Sequence, residues 1–286
     1  MSPKRNWLRS AASIAFHLSF VIGNWSFLAA APPATLREMI DESVDQVQVF
    51  ATSDGDVPAK SIVALRWANN QRGSEDGLTI LYVHEGRPLA TACLYPWAGR
   101  LVHDFEALGR KPPVARRLGE KANVWSPRTT GVEFADIAGS PPPAATAPAR
   151  LRQLKALAEQ FQSTMLGWKR DDSDREELRL LPRPLYRYES KDDVIIDGAV
   201  FAFVMGTDPE SLLLIEAVKE GEVAKWQFAF ARRTSGELEG RHGEKSVWKA
   251  TRYPETKDPL LPHYSLGTPI PPELLAPVRE EESIGK

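Results

Sequence analysis

The chain has a single cysteine, Cys93, so no disulfide can form within it and its stability has to come from packing. Within the apolar run LATACLYPW that cysteine reads as a small buried hydrophobe and not as a reactive thiol. Positive charge is not in excess, for 36 Lys+Arg stand against 38 Asp+Glu. Removing residues 1–30, which hold Lys4, Arg5 and Arg9, leaves the body more acidic still. Such a body is unsuited to nucleic acid, whose binding rests on neutralising phosphates. The sequence contains no phosphate-binding loop, dinucleotide fingerprint, zinc spacing or nucleophile elbow, which leaves no cofactor implied. Charged residues at 26% and hydrophobic residues at 42% exclude a collagen, a coiled coil and a wholly disordered chain.

What is present begins with an export signal. Residues 1–31 combine a basic start, an apolar stretch from about Ala11 to Leu28 and small residues at the end, the plan of a secretory signal peptide over 1–30. Leu28 and Ala30 then occupy the recognised positions, so cleavage after Ala30 is expected, with a periplasmic or extracellular destination. The alternative is an uncleaved anchor helix, weakened by His17 and Asn24 inside the stretch. No later segment has the roughly 18 apolar residues of a membrane helix, so the cleaved protein is not expected to be integral to a membrane.

Proline divides the remainder. GSPPPAATAP, Gly139 to Pro148, reads as a Pro/Ala-rich linker over 138–148, and 255–286 as a Pro-rich, extended tail in which LLPHY can still dock. The expected segments are therefore a first half over 31–137 and a second over 149–254, each a helix followed by a meander. In the second half, Leu151, Leu154, Ala158, Phe161, Met165 and Trp168 recur at helical spacing and predict one long amphipathic helix from Ala149 to about Lys169. Thr35 and Glu38 have capping-box spacing and predict a shorter helix from Thr35. Between and after these, short β-branched or aromatic segments separated by turn signals such as HEGRP, WAGR and TDPES predict antiparallel hairpins. The predicted class is α+β: antiparallel β-meanders with one long helix.

The two halves share an order of parts. Trp67 precedes Asp76 by nine residues and Tyr188 precedes Asp197 by nine, each in the pattern Arg-aromatic followed by Asp-Gly, and Gly-Glu-Lys with Val-Trp follows in both. One reading is internal duplication into two similar helix-plus-sheet halves, with His103, Phe105 and Ala107 matching Trp226, Phe228 and Phe230; the other is two unrelated meanders with common turn residues.

Candidate chemistry is sparse. His103 is the one weak pocket candidate, but strand alternation sends Asp104 and Glu106 to the face opposite it, so the cluster His103-Asp104-Phe105-Glu106 cannot close around a metal, and no metal site is expected. His84 and His242 lie beside turn glycines, and His263 is in the tail. The run Asp171 to Glu177 lacks the glycine and spacing of an EF-hand loop and reads as a solvated turn. Ser126 and Ser235 have no identifiable base, and tryptophans in strands read as core before they read as sugar platforms.

The strings RWANNQRGSEDGLTILYVHEGRP, DDSDREELRLLPRPLYRYE, DGAVFAFVMGTDPESLLLIEA and TSGELEGRHG resemble a family of secreted bacterial proteins of unknown function, over about Ser61 to Thr251. The resemblance implies export and a shared fold, and brings no activity, ligand or catalytic residue. The expectation is an exported, non-enzymatic binding or envelope-associated module whose partner is an unknown small molecule or envelope component. The alternative is a secreted hydrolase with a pocket including His103.

Overall fold

Strand patterning governs almost the whole body. The computed structural model describes residues 35–69, 74–166, 175–190, 194–254 and 256–275, all within one compact unit, Pro33–Lys286. In the first half, helix α1 (Leu36–Glu42) starts where the sequence predicts, because the Thr35 hydroxyl accepts the Glu38 N–H at 3.1 Å and the Glu38 carboxylate accepts the Thr35 N–H at 3.0 Å. Strand β1 (Val47–Phe50) follows, then a meander of β2 (Lys60–Asn69), β3 (Ser74–His84), β4 (Arg87–Trp97) and β5 (Arg100–Ala107). Strands β6 (Val114–Arg117) and β7 (Asn123–Trp125) return to β1 and close a three-stranded sheet in the order β1-β6-β7.

After the short β8 (Ala135–Asp136) come α2 (Ala147–Ala158), β9 (Phe161–Leu166) and β10 (Arg175–Leu180). A second meander follows, of β11 (Tyr186–Tyr188), β12 (Ile195–Met205), β13 (Asp208–Glu220) and β14 (Val223–Arg232), and then β15 (Glu237–His242) and β16 (Lys245–Ala250). The last strand is β17 (His263–Pro269). The large sheet runs β16-β15-β9-β10-β12-β13-β14-β8 with β11 beside β12, and the five-stranded sheet runs β17-β5-β4-β3-β2.

The α+β class with one long helix is therefore corrected: strand takes 53% and helix 11%, a mostly β fold with a curled sheet. Helix α2 ends at Ala158, and the rest of the expected helix up to Leu166 is β9, while Trp168 and Lys169 lie outside the described residues. Phe161 and Met165 fit a helical spacing, but with Ser163 they also fit a period of two, and all three are buried. Pairing decides between the two periods, for β9 is hydrogen-bonded on both sides, to β10 and to β15.

The two meanders have matching registers. Trp67 opposes Gly77 and Tyr188 opposes Gly198, and a Cβ on either glycine would lie 2.6 Å or 2.7 Å from the facing ring. Only glycine lets these aromatics lie flat on the neighbouring strand. The bulge between Tyr82 and Val83 recurs between Phe203 and Val204, with Pro88 and Pro209 opposite, and Trp125 opposes Ala115 across a bulge as Trp248 opposes Gly240. Counting across the sheets from Gly77 and Gly198 matches His103 with Phe228 and Phe105 with Phe230, a shift of two residues from the match read in the sequence. The stacking agrees: Phe105 lies 5.3 Å from Trp125, and Phe230 lies 5.2 Å from Trp248.

The halves exchange edges. Strand β8, which follows the first meander, pairs with β14 of the second, while β17 pairs with β5 of the first. Turns are exchanged as well: Thr207 Oγ1 accepts from the Ala68 N–H at 3.0 Å and donates to the Ala68 carbonyl at 2.8 Å, while Gly86 lies against the Glu189 carbonyl. Alternation gives each meander two buried faces. Leu78, Ile80 and Tyr82 enter the core of the first half, and Ala199, Phe201 and Phe203 that of the second. Leu81, Val83, Val200, Ala202 and Val204 form a third core between the halves. Among the described residues no helix is long and apolar enough to cross a membrane.

Candidate functional site

Where the halves meet, polar side chains are buried in two groups. The first grows from the alternation of β5, which turns His103 and Phe105 into the first-half core and Asp104 and Glu106 to the opposite face. The antiparallel register of β17 sets Ser265 directly across from Asp104 and His263 across from Glu106, so each pair meets side by side. Ser265 Oγ donates to Asp104 Oδ1, Tyr95 Oη donates to Asp104 Oδ2 at 2.6 Å, and His263 Nδ1 lies 3.0 Å from Glu106 Oε2. Arg233, just beyond β14, donates from Nη2 to the Asp104 carbonyl at 3.2 Å.

Burial dominates the protonation of this group. It raises the Asp104 carboxyl against the opposing bonds from Ser265 and Tyr95, and raises Glu106 well above the usual carboxyl range against the guanidiniums of Arg232 and Arg233. His263 is pushed down to about 3, first by burial and then by repulsion from Arg232 and Arg233. Burial thus acts against the charged form of both partners in the Glu106–His263 contact.

The second group centres on Glu216, whose side chain is fully buried. It accepts Arg87 Nε, Arg110 Nη2 and Tyr188 Oη, each at 2.8 Å. The Phe134 ring lies under both guanidiniums, 5.2 Å from Arg87 and 4.2 Å from Arg110. Arg87, Arg110 and Phe134 belong to the first half of the chain and Glu216 and Tyr188 to the second, so this group bridges the halves. Within each half a further carboxylate ties helix to sheet. Asp197 receives Arg150 and Arg187, and Asp76 receives Arg66, which also reaches Asp41 of α1.

His103 lies away from these groups. Its ring is 3% exposed and stacks at 8° on Phe105 with centroids 5.9 Å apart, and Nε2 sits 3.3 Å from the Ser43 carbonyl. Burial, with Arg117 as a minor repulsion, lowers it to about 4, so the imidazole is neutral at physiological pH. Cys93 is buried beside Thr79, and burial raises its thiol to about 11, far from a reactive thiolate. His242 stacks on Phe161 at 4.6 Å, and His84 ends β3 opposite Arg87. Ser126 is held through its backbone N–H by Pro259, and Ser235 is exposed and lends its carbonyl to Tyr253. Residues 171–174 of the acidic run lie outside the described residues, and Arg175, Glu176 and Glu177 belong to β10. Trp67, Trp125 and Trp226 are core residues, while Trp97 stands 51% exposed at the β4–β5 turn. Among the described residues no set of three or more His, Cys, Asp or Glu side chains is placed to hold a metal ion.

Sequence reasoning missed His263 as a site residue. The one available signal was LLPHY itself, an apolar patch in a Pro-rich tail. The chain matches no family model, no curated protein and no solved structure.

Proposed function

We propose that the chain is an exported, non-catalytic binding or envelope-associated module built from two copies of one mostly β unit. The observation that carries this reading is the setting of His103: a neutral ring stacked on Phe105 and held by a backbone carbonyl, with no titratable partner in hydrogen-bonding reach among the described residues. A general base needs a polar route to the proton it removes, and this ring has apolar packing instead. The shifted groups Glu106 and His263 meet each other, and Asp104 meets Ser265, across the β5–β17 pairing. Duplication is supported by the matched bulges, the two glycine-backed aromatics and the equal sheet orders of β1-β6-β7 and β9-β15-β16. Export is supported by the basic, apolar and small-residue order of residues 1–30 and by the resemblance to secreted bacterial proteins.

A turnover panel of chromogenic esters, phosphomonoesters, glycosides and peptides tests the non-catalytic reading. No turnover above buffer is expected, and turnover that His103→Ala abolishes in a folded protein would establish the hydrolase. Sequencing of the native N-terminus is expected to read from Ala31, and intact Met1 in the membrane fraction would replace export by anchoring.

A further inference from the structure

The two junction faces correspond position by position. Tyr95, Val102 and Gly267 lie side by side on β4, β5 and β17, and the matching row of the second half is Glu216, Gln227 and Asp136 on β13, β14 and β8. In the second half that row is filled. Arg110 donates to Glu216 and Gln227, the Phe134 ring lies 4.2 Å from the Arg110 guanidinium, and Asp136 receives Lys225 and Gln227. In the first half each filling position holds a small residue. Ser265 stands where Phe134 does, and Gly267 where Asp136 does. Ser235 takes the place of Arg110, two residues past Leu108 and Arg233, whose N–H groups bond the carbonyls of Leu89 and Glu210 in the same way. Against arginine, phenylalanine and aspartate stand serine, serine and glycine, and Tyr95, Val102, Ser265 and Gly267 are all partly exposed.

The open row is a surface shelf with an aromatic at its front. Alternation puts Trp97 on the face of Tyr95, and the two-residue turn Ala98-Gly99, with φ of 48° and 72°, sets Trp97 directly across from Arg100. Trp97 is 51% exposed. The Arg100 guanidinium lies along Gly267, where a Cβ would come 2.5 Å from its Nε, and gives one N–H to the Gly267 carbonyl. A side chain at 267 would displace it. Fixed in this way, Arg100 offers its other N–H groups at a low ordering cost. The Ser265 hydroxyl gives its proton to Asp104 and keeps its lone pairs as acceptors. From Tyr95 to Gly267 the shelf spans two strand spacings, about 10 Å. It combines an accessible indole face with a held donor and an acceptor. A sugar ring has the complementary make-up, C–H groups on its face and hydroxyls at its rim. The turn mates of Trp97, namely Ala98, Gly99 and Arg100, supply none of the apolar tip that a bilayer would take.

We infer that this shelf is a saccharide-binding site, on which one pyranose ring of an oligosaccharide stacks against Trp97 with its hydroxyls bonded to Arg100 and Ser265. The inference deepens the binding reading above and rests on it. The mature protein is titrated by calorimetry with soluble β-1,4-linked hexamers of glucose and of N-acetylglucosamine and with a hexamer of galacturonic acid. Saturable binding of at least one is expected, weakened about three- to tenfold by Trp97→Ala at an unchanged melting temperature, because the ring is exposed and supports no core. No binding of any hexamer overturns the site, as does binding that Trp97→Ala leaves at full affinity. Trp97-dependent binding to phosphatidylglycerol vesicles, with none to the hexamers, overturns it in favour of membrane contact. Each of these results leaves the non-catalytic reading in place, because that reading fails only on turnover.

Discussion

His263 Nδ1 lies 3.0 Å from Glu106 Oε2 although 157 residues separate them, and this contact fastens the end of the chain to the edge of the first meander. The partner strand of β5 is thus supplied from beyond the second half, and that of β14 from beyond the first. A meander edge left open would present unpaired backbone groups. The exchange covers both edges, and the buried polar groups fix the register in which it happens.

A chain ending after Thr251 tests the exchange. It removes β17, uncovers the β5 edge and takes away His263, which meets Glu106, and Ser265, one of the two side-chain donors to Asp104. Aggregation or loss of the cooperative melt is expected in size-exclusion and thermal measurements. A monodisperse product that melts like the full chain would show that β17 does not support the fold.

Glycine is required under the two aromatics. Gly77→Ala and Gly198→Ala each drive a methyl group into a buried ring, and each is expected to lower stability by about 1–3 kcal/mol in urea titrations. Similar values at the two sites follow from their matching registers. A neutral outcome at either would mean that the ring can leave its strand.

The carboxylates that tie helix to sheet differ in depth. Asp197 has a side chain only 4% exposed and receives two guanidiniums, while Asp76 is 20% exposed and Arg66 29%. Asp197→Asn is expected to cost about 3–5 kcal/mol and Asp76→Asn less, because a buried charge loses its partner in the first and solvent screens the second. The reverse ranking in denaturant titrations would contradict these assignments.

Much of this fold is legible in the sequence. Alternation and the turn dipeptides mark the strands from Lys60 to Ala107 and from Ile195 to Arg232, and the same alternation separates His103 from Asp104 and Glu106. Thr35 and Glu38 announce α1 because their contact is local. Strand β9 is not legible, since Phe161 and Met165 satisfy two periods at once and its neighbours β10 and β15 decide the matter. The placement of His263 is also hidden. It depends on a strand pairing across the chain, and proline-rich flanks disguise the strand as tail.

Acid should unfold the protein through its buried imidazoles. His103 lies at about 4 and His263 at about 3 in the folded chain, against 6.5 when exposed, so as pH falls below 6.5 the unfolded state takes up protons that the folded state refuses. Stability contributed by keeping these rings neutral is full above pH 6.5 and is lost on the way down, for His103 by about 3 kcal/mol between pH 6.5 and 4. The raised carboxyls of Asp104 and Glu106 act in the opposite sense as pH rises, so the comparison is made with His103→Gln, whose stability should fall less steeply over that window. Equal slopes in the two proteins would mean that His103 takes up its proton as readily in the fold as in the unfolded chain.

The central claim is that His103 packs and does not catalyse, and the melting of His103→Ala, read beside the turnover panel, tests it most directly. Loss of a buried, stacked and hydrogen-bonded ring should cost about 1–3 kcal/mol and lower the melting temperature by several degrees, with no turnover to lose. An unaltered melting temperature together with abolished turnover of any substrate would contradict the account.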